Sequence, residues 1–360
     1  MCADSGLEHV ADVLTSVAVL LVCFIFPIKP DMGLTRAHYD MHGMRMTVES
    51  PSQSLLDVID TLLGAYAEVP GHLDGFSVSL DYGQIPTETD PELHDFWKGA
   101  LPDGTRMICR SGLKRRQVEM PGHVRADIDL SARAARFVVN PNIKTGLLET
   151  CFMPLLCDCL GQAGHYVIHA ASLFVQVGGQ RRTLIVSGMS GAGKTTLALA
   201  LAGTGLGMLA DDMTLYQAAA ANRPGQIWGI RTRCKVHKRT LELLPWLRDL
   251  PAGGASLNGE QLLDSRSLKP ATTGLTAAPG MILFLNPRNT EAHRIEPVDK
   301  LTAITRLTRE NIRATDPRRE AAAGRAFEAL TELVRSSRIF QASLCPRLEE
   351  LPERLASLWS

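Results

Sequence analysis

The chain has 360 residues, a length that suits two domains better than one. Lys+Arg and Asp+Glu number 38 each, so the net charge is zero, which argues against a general nucleic-acid binder. Hydrophobic residues make up 45% and charged residues 21%, a globular balance that excludes a disordered chain.

The N-terminal part carries an uncharged, mostly apolar run from Val13 to Phe26, ended by Pro27. It is short for a membrane span, which needs about 20 residues. Asp4, Glu8 and Asp12 precede it where a signal peptide would carry positive charge. Three readings stand: an anchor, a buried helix, or a stretch upstream of a true start at Met32; the last is favoured, and a membrane is not expected as a partner. Residues 1–35 are therefore set apart from the domains.

Residues 36–145 read as a smaller α+β domain with no recognisable catalytic motif. Ser54–Glu68 has apolar residues at Leu55, Leu56, Val58, Ile59, Leu62 and Leu63, the spacing of a helix. Phe76–Leu80, Thr105–Cys109 and Ala135–Val139 read as strands. Asp90, Glu92, His94 and Asp95 crowd together, and a solvated loop explains them better than a metal site. The turn-rich Asn140–Lys144 marks a domain boundary.

Residues 146–360 read as an α/β domain. Leu147–Leu160 is expected to be a buried helix that Pro154 kinks or interrupts. His169–Val177 and Thr183–Ser187 read as a hairpin turned at Gly178–Gly179. Arg223–Gly225, Ala252–Gly254 and Lys269–Gly280 read as loops, and Met281–Leu285 as a buried strand. Arg318–Ser336 is expected to be a helix, Arg338–Leu344 a strand and Arg347–Trp359 a last helix. Eight cysteines occur, none in C-x-x-C or zinc-finger spacing. They are expected to be buried, reduced thiols, as in a cytoplasmic protein.

The richest segment is Gly188-Met189-Ser190-Gly191-Ala192-Gly193-Lys194-Thr195-Thr196, which fits G-x-x-x-x-G-K-[ST]. An expected strand precedes it and an apolar helix follows, the context a phosphate-binding loop requires. Glycines let successive backbone N–H groups converge on phosphate oxygens. The helix N-terminus adds its positive dipole. Lys194 would supply a cation to the β- and γ-phosphates of ATP, and Thr195 a hydroxyl to Mg²⁺. A Gly-rich turn that merely opens a helix would leave a buried Lys194 without the anion that offsets its desolvation.

Met208-Leu209-Ala210-Asp211-Asp212 follows and reads as a short buried strand ending in two carboxylates. Ligand sites of open α/β sheets lie at the carboxyl ends of strands. One carboxylate would then hold Mg²⁺, with Asp211 the candidate, and the other would accept the proton of an attacking hydroxyl. The plainer alternative is a helix cap.

Taken together, these residues resemble the HPr kinase/phosphorylase family: His169-Ala170-Ala171-Ser172 opening a strand, then GMSGAGKTT, then MLADD. ATP-dependent phosphoenolpyruvate carboxykinase has a similar loop with D-D downstream and shares the fold. The resemblance covers residues 165–240 well and the rest of the C-terminal half loosely. It implies a P-loop kinase domain of that type, with catalytic roles for His169, Lys194, Asp211 and Asp212 and with ATP and Mg²⁺ bound. Without the pattern, His169 would read as a satisfied core histidine. The bifunctional enzymes carry a Glu-Ile/Val-Arg-Gly segment whose Glu binds metal; here the comparable stretch is Trp228-Gly229-Ile230-Arg231, without Glu. Arg231, in the basic stretch Arg231–Arg239, is a candidate phosphate contact, with a solvated basic strand as the equal alternative. The resemblance implies a serine-bearing protein or peptide acceptor, HPr or a precursor peptide. A nucleotide-sensing module or ATPase, or a carboxykinase-like lyase, are the competing readings, and a homo-oligomer is compatible with all of them.

Overall fold

The computed structural model describes residues 34–68, 75–230, 233–255, 261–264, 267–268, 275–286, 290–312 and 320–359. The apolar run 13–26, the candidate start Met32 and Arg231 lie outside the described residues. The chain forms two compact units: the first reaches to Ala163, and the second takes nearly everything from Gly164 onward. The expected boundary lay near residue 145, whereas the helix that follows it clusters with the first unit.

Among the described residues, the first unit is an eight-stranded sheet with two α-helices packed on it. Its elements are β1 (Thr35–Met41), β2 (Met44–Ser50), α1 (Gln53–Leu63), β3 (Phe76–Tyr82), β4 (His94–Ala100), β5 (Arg106–Ser111), β6 (Arg115–Met120), β7 (Val124–Asp129), β8 (Ala134–Val139) and α2 (Thr145–Gln162). Their order across the sheet is β1-β2-β3-β8-β7-β6-β5-β4. β1 and β2 close over His42 and Gly43, both at positive φ (53° and 93°), the backbone a two-residue hairpin turn needs. α1 then carries the chain between β2 and β3, which pair in parallel. Leu55, Leu56, Val58, Ile59, Leu62 and Leu63 are all buried, so the apolar spacing read from the sequence is the packed face. The helix stops at Leu63 rather than Glu68, and a 3₁₀ turn takes Gly64–Tyr66. α2 is one unbroken helix with Pro154 inside it. His94 and Asp95 stand in β4 rather than in a loop. Asp95 pairs with Lys98 and Arg110, and Asp90 with Arg115, so these carboxylates serve surface ion pairs.

The second unit is a mixed α/β layer structure. Its main sheet is built from β9 (His165–Val177), β10 (Gln180–Ser187), β11 (Gly207–Ala210), β12 (Met213–Gln217), β13 (Gln226–Gly229), β17 (Ala278–Leu285), β18 (Arg294–Pro297) and β19 (Arg338–Ser343). The order is β13-β12-β9-β10-β17-β19-β18, with β11 also on β9. β10, β17 and β19 run parallel, so their carboxyl ends share one edge of the sheet. Helix α3 (Lys194–Gly203), the 3₁₀ turn Leu348–Glu350 and α7 (Leu351–Ala356) cover one face through Leu197, Leu199, Leu201, Leu348, Leu351 and Leu355. α5 (Lys300–Asn311) and α6 (Glu320–Arg335) cover the other through Ala303, Leu307, Leu330, Leu333 and Val334. Alternation along β10 serves both layers: Leu184 and Val186 face α3, and Ile185 faces α5 and α6.

A second sheet joins β14 (Arg233–Val236), β16 (Gln261–Asp264) and β15 (Ala252–Ala255), and α4 (Lys238–Leu243) follows β14. Ala252–Gly254, expected to be a loop, is thus strand: its partner β16 supplies the ladder that two glycines do not announce. The C-terminal segment is a 3₁₀ turn and a short α-helix rather than one helix from Arg347 to Trp359. Of the expected loop Lys269–Gly280, residues 269–274 lie outside the described residues, and Ala278 to Gly280 open β17. Cys109, Cys151, Cys159, Cys234 and Cys345 are buried, and burial pushes the Cys151 and Cys159 thiols up from their ordinary values. No helix among the described residues is long and apolar enough to cross a membrane.

Candidate functional site

Long strand β9 organises the site. β10 and β11 both run antiparallel to it, one on each side, so they point the same way. Ser187, the last residue of β10, pairs with Ala170, and Ala210, the last of β11, pairs with Ser172. The Gly-rich loop after β10 and the aspartates after β11 therefore leave the sheet at nearly the same level, on either side of His169–Ala171. Residues distant in sequence meet there because of this register.

The loop itself is tight. Gly191 (φ 77°) and Gly193 (φ 97°) hold backbone that side-chain-bearing residues rarely adopt. A Cβ on Gly188 would stand 2.9 Å from the Leu285 carbonyl oxygen, so β17 leaves no room for one. Gly193 caps α3, whose first residue is Lys194. Met189, Ser190 and Gly191 are exposed at the tip, and Lys194 is buried below them. Its ammonium turns back over its own loop and donates to the carbonyls of Gly188 (2.8 Å) and Met189 (3.4 Å). It also lies 3.2 Å from Nε2 of His169. Among the described residues no carboxylate forms an ion pair with Lys194, although Asp211 attracts it; a phosphate oxygen there would offset its desolvation.

His169 is neutral in these surroundings. Burial pushes its pKa down and Lys194 adds to that, with Asp212 opposing. Nε2 faces a cationic donor and so accepts, which leaves the ring proton on Nδ1. Nδ1 is buried and has no hydrogen-bond partner. An imidazole held in one tautomer beside an ammonium, with its N–H unspent, can donate to an incoming oxygen.

Asp211 is buried, and its Oδ1 accepts from Thr195 Oγ1 at 2.8 Å. Burial first, then the neighbouring Asp212 carboxylate, raises its pKa to about 8, against the pull of Thr195, Lys194 and the Cys234 thiol. Its second oxygen, Oδ2, is buried without a hydrogen-bond partner. Asp212 is only half-buried and takes φ 59°, with Met213 N donating across it to the Asp211 carbonyl at 2.7 Å. That three-residue turn with positive φ at a non-glycine residue is a strained conformation of the kind found at functional sites.

These groups can be tested against Mg²⁺. Among the described residues no cluster of three or more His, Cys, Asp or Glu side chains forms a metal cage. Magnesium at phosphate sites needs none, because one or two carboxylates, waters and the phosphates themselves complete its shell. An orphaned carboxylate oxygen beside a threonine hydroxyl, at the start of a helix that follows a Gly-rich loop, fits that donor set.

Two residues missed in the sequence reach the site from α5. Glu310 Oε2 accepts from Ser187 Oγ at 2.8 Å, immediately before the loop. Asn311 Oδ1 accepts from the backbone N–H of His169 at 2.7 Å. Their only sequence signal is a polar pair at the end of an amphipathic helix, which reads as solvated. Thr240 of α4 is a third, its hydroxyl 2.8 Å from that of Thr196. The structure thus brings together His169, the 188–196 loop, Asp211 and Asp212. No protein-family model matches the chain, and no curated protein matches it either.

Proposed function

We propose that this chain is an HPr-kinase-like P-loop kinase that transfers the γ-phosphate of ATP to a serine-type hydroxyl of a protein or peptide. The observation that carries the reading is Lys194: a buried ammonium held by carbonyls rather than by a carboxylate, under a Gly-rich loop and level with two aspartates. Backbone N–H groups of 188–196 would hold the phosphates, and Lys194 would draw its charge toward the γ-phosphoryl oxygens as negative charge develops there.

Thr195 and Asp211 are the residues that would hold Mg²⁺, which when bound neutralises phosphate charge. Asp211 is committed to Thr195, so the half-buried Asp212 is the base. The acceptor oxygen attacks the γ-phosphorus and its proton passes to Asp212. The bond from that phosphorus to the β–γ bridging oxygen breaks, and ADP leaves with the electron pair. His169 donates through Nδ1 to an oxygen of the transferring group. Buried thiols are in keeping with a cytoplasmic setting. The acceptor class is a serine-bearing chain, with HPr or a precursor peptide to be tried first.

The test is incubation with γ-labelled ATP and Mg²⁺, with HPr and then with a lysate of the source cells. A labelled acceptor that disappears with Lys194→Ala is the expected result. Label released only as phosphate would favour an ATPase, and nucleotide binding without turnover would favour a sensor. Decarboxylation of oxaloacetate would favour a lyase.

A further inference from the structure

We infer that Asn311 is a positioning residue for this phosphoryl transfer: it locks a bulge in β9 and so fixes where the His169 ring stands. The inference rests on the kinase reading of the site. It begins with the ladder between β9 and β12. Met213 pairs with both His169 and Ala170, so two residues of β9 oppose one of β12. A bulge of this kind disrupts the ladder and leaves one residue unpaired. A buried backbone N–H without a partner is costly. The bulged residue is His169, and its N–H is the one that Asn311 takes at 2.7 Å.

Asn311 is itself fixed. Its Nδ2 donates to the carbonyl of Leu307 at 2.8 Å, one turn back on the same helix, and Leu307 is fully buried in the core against the sheet. The amide therefore spans two fixed points, the wall of the core and the bulge. Oδ1 must face His169, because the backbone N–H there is a donor, and Nδ2 must face the Leu307 carbonyl, an acceptor. Next to it, Glu310 accepts from Ser187 at 2.8 Å. One helix end thus holds β9 and β10 side by side at the level where the loop begins. On the opposite face of the bulge the His169 ring meets Lys194 at 3.2 Å. Among the described residues Asn311 makes no hydrogen bond to Lys194 or the aspartates, so its action on the reaction runs through His169.

The consequence is a separation of effects. Losing the clamp frees the bulge to relax, and the ring moves away from Lys194 while the phosphate loop, built from its own glycines, keeps its shape. A misplacement of about 1 Å at a reacting group costs on the order of 100-fold in rate. The test uses the full chain with Asn311→Ala and Asn311→Asp. Asp keeps the acceptor for His169 N–H, loses the donation to Leu307 and sets a carboxylate oxygen against that carbonyl instead.

The expected result for Asn311→Ala is a kcat lower by about 100-fold with the ATP dissociation constant within about twofold of wild type. Asn311→Asp should recover most of that loss. ¹⁵N shifts of the His169 ring should show a proton fixed on Nδ1 in the wild type and in Asn311→Asp, and mixed tautomers in Asn311→Ala. Unchanged kcat and ring shifts in Asn311→Ala would overturn the inference, as would equal losses in the Asp and Ala variants with native circular dichroism. If Asn311→Ala does not fold, the Asp variant decides by the same two readouts. If the wild type transfers phosphate to no acceptor, the kinase reading falls, and the ring shifts still decide whether Asn311 sets His169.

Discussion

Replacing Asp211 by Asn should make the nucleotide-free protein more stable while removing its function. In the folded chain the carboxyl titrates at about 8, whereas its ordinary value is 3.8. The stability that comes from its protonated form is complete below pH 3.8 and is lost as pH rises through 8, because the unfolded chain gains from ionising and the folded chain does not. At 1.36 kcal/mol per unit, the loss by pH 7 is on the order of 4 kcal/mol. Asn keeps the Thr195 hydrogen bond, has nearly the same shape and carries no ionisation in either state. Asp211→Asn should therefore unfold later than wild type at pH 7, by a few kcal/mol, and the two should converge near pH 4. The wild-type stability should slope downward between those limits more steeply than the variant's. Urea unfolding from pH 4 to 8, without nucleotide, reads all of this. Saturating Mg²⁺ and ATP should then stabilise the wild type and leave the variant nearly unmoved. A variant no more stable than wild type at pH 7, with an unchanged pH slope, would refute the argument.

Two further outcomes follow from the local geometry. Gly229→Ala would set a Cβ 2.4 Å from the Ala210 Cβ and 2.5 Å from the Leu209 carbonyl oxygen, so β13 must move away from the strand that carries the aspartates. The melting midpoint should fall by an amount equivalent to about 1–3 kcal/mol, and phosphate transfer should fall with it; calorimetry and the labelled-ATP assay check both. Asp212→Gly relieves the positive φ at the turn, so it should hold or raise stability by about 1 kcal/mol while transfer collapses. A loss of stability together with activity would place Asp212 in the architecture rather than in the chemistry.

Local chemistry made much of the second unit legible. Strand β10, the Gly-rich loop and helix α3 stand where the G-x-x-x-x-G-K-T string puts them, because glycine spacing and an apolar helix are near-neighbour signals. The helical spacing of Leu55–Leu63 and the apolar run Met281–Leu285 were equally plain. The antiparallel strands β4, β6 and β7 were not, since Arg115–Met120 and Val124–Asp129 mix charge and apolar residues on a sheet whose pairing is long-range. β15 escaped notice because Ala-Gly-Gly-Ala carries no polar–apolar alternation. At the site, His169, the 188–196 loop, Asp211 and Asp212 come together, but Glu310, Asn311 and Thr240 were invisible. Each acts through one hydrogen bond across more than forty residues of chain, and no periodicity encodes such a contact.

β11 and β12 lie end to end along the same neighbour, β9, yet they are out of step by one residue. In β11 the odd-numbered Leu209 faces α5 and α6; in β12 the even-numbered Tyr216 does so. The aspartate pair sits at this change of phase, together with the bulge in β9. A strand has only two faces, so one residue more or less between Ala210 and Met213 would exchange the faces of all five residues of β12. The site therefore works as a frame-setter for the sheet around it. Substitution can alter its chemistry one atom at a time, whereas an insertion or deletion there would turn a buried strand inside out.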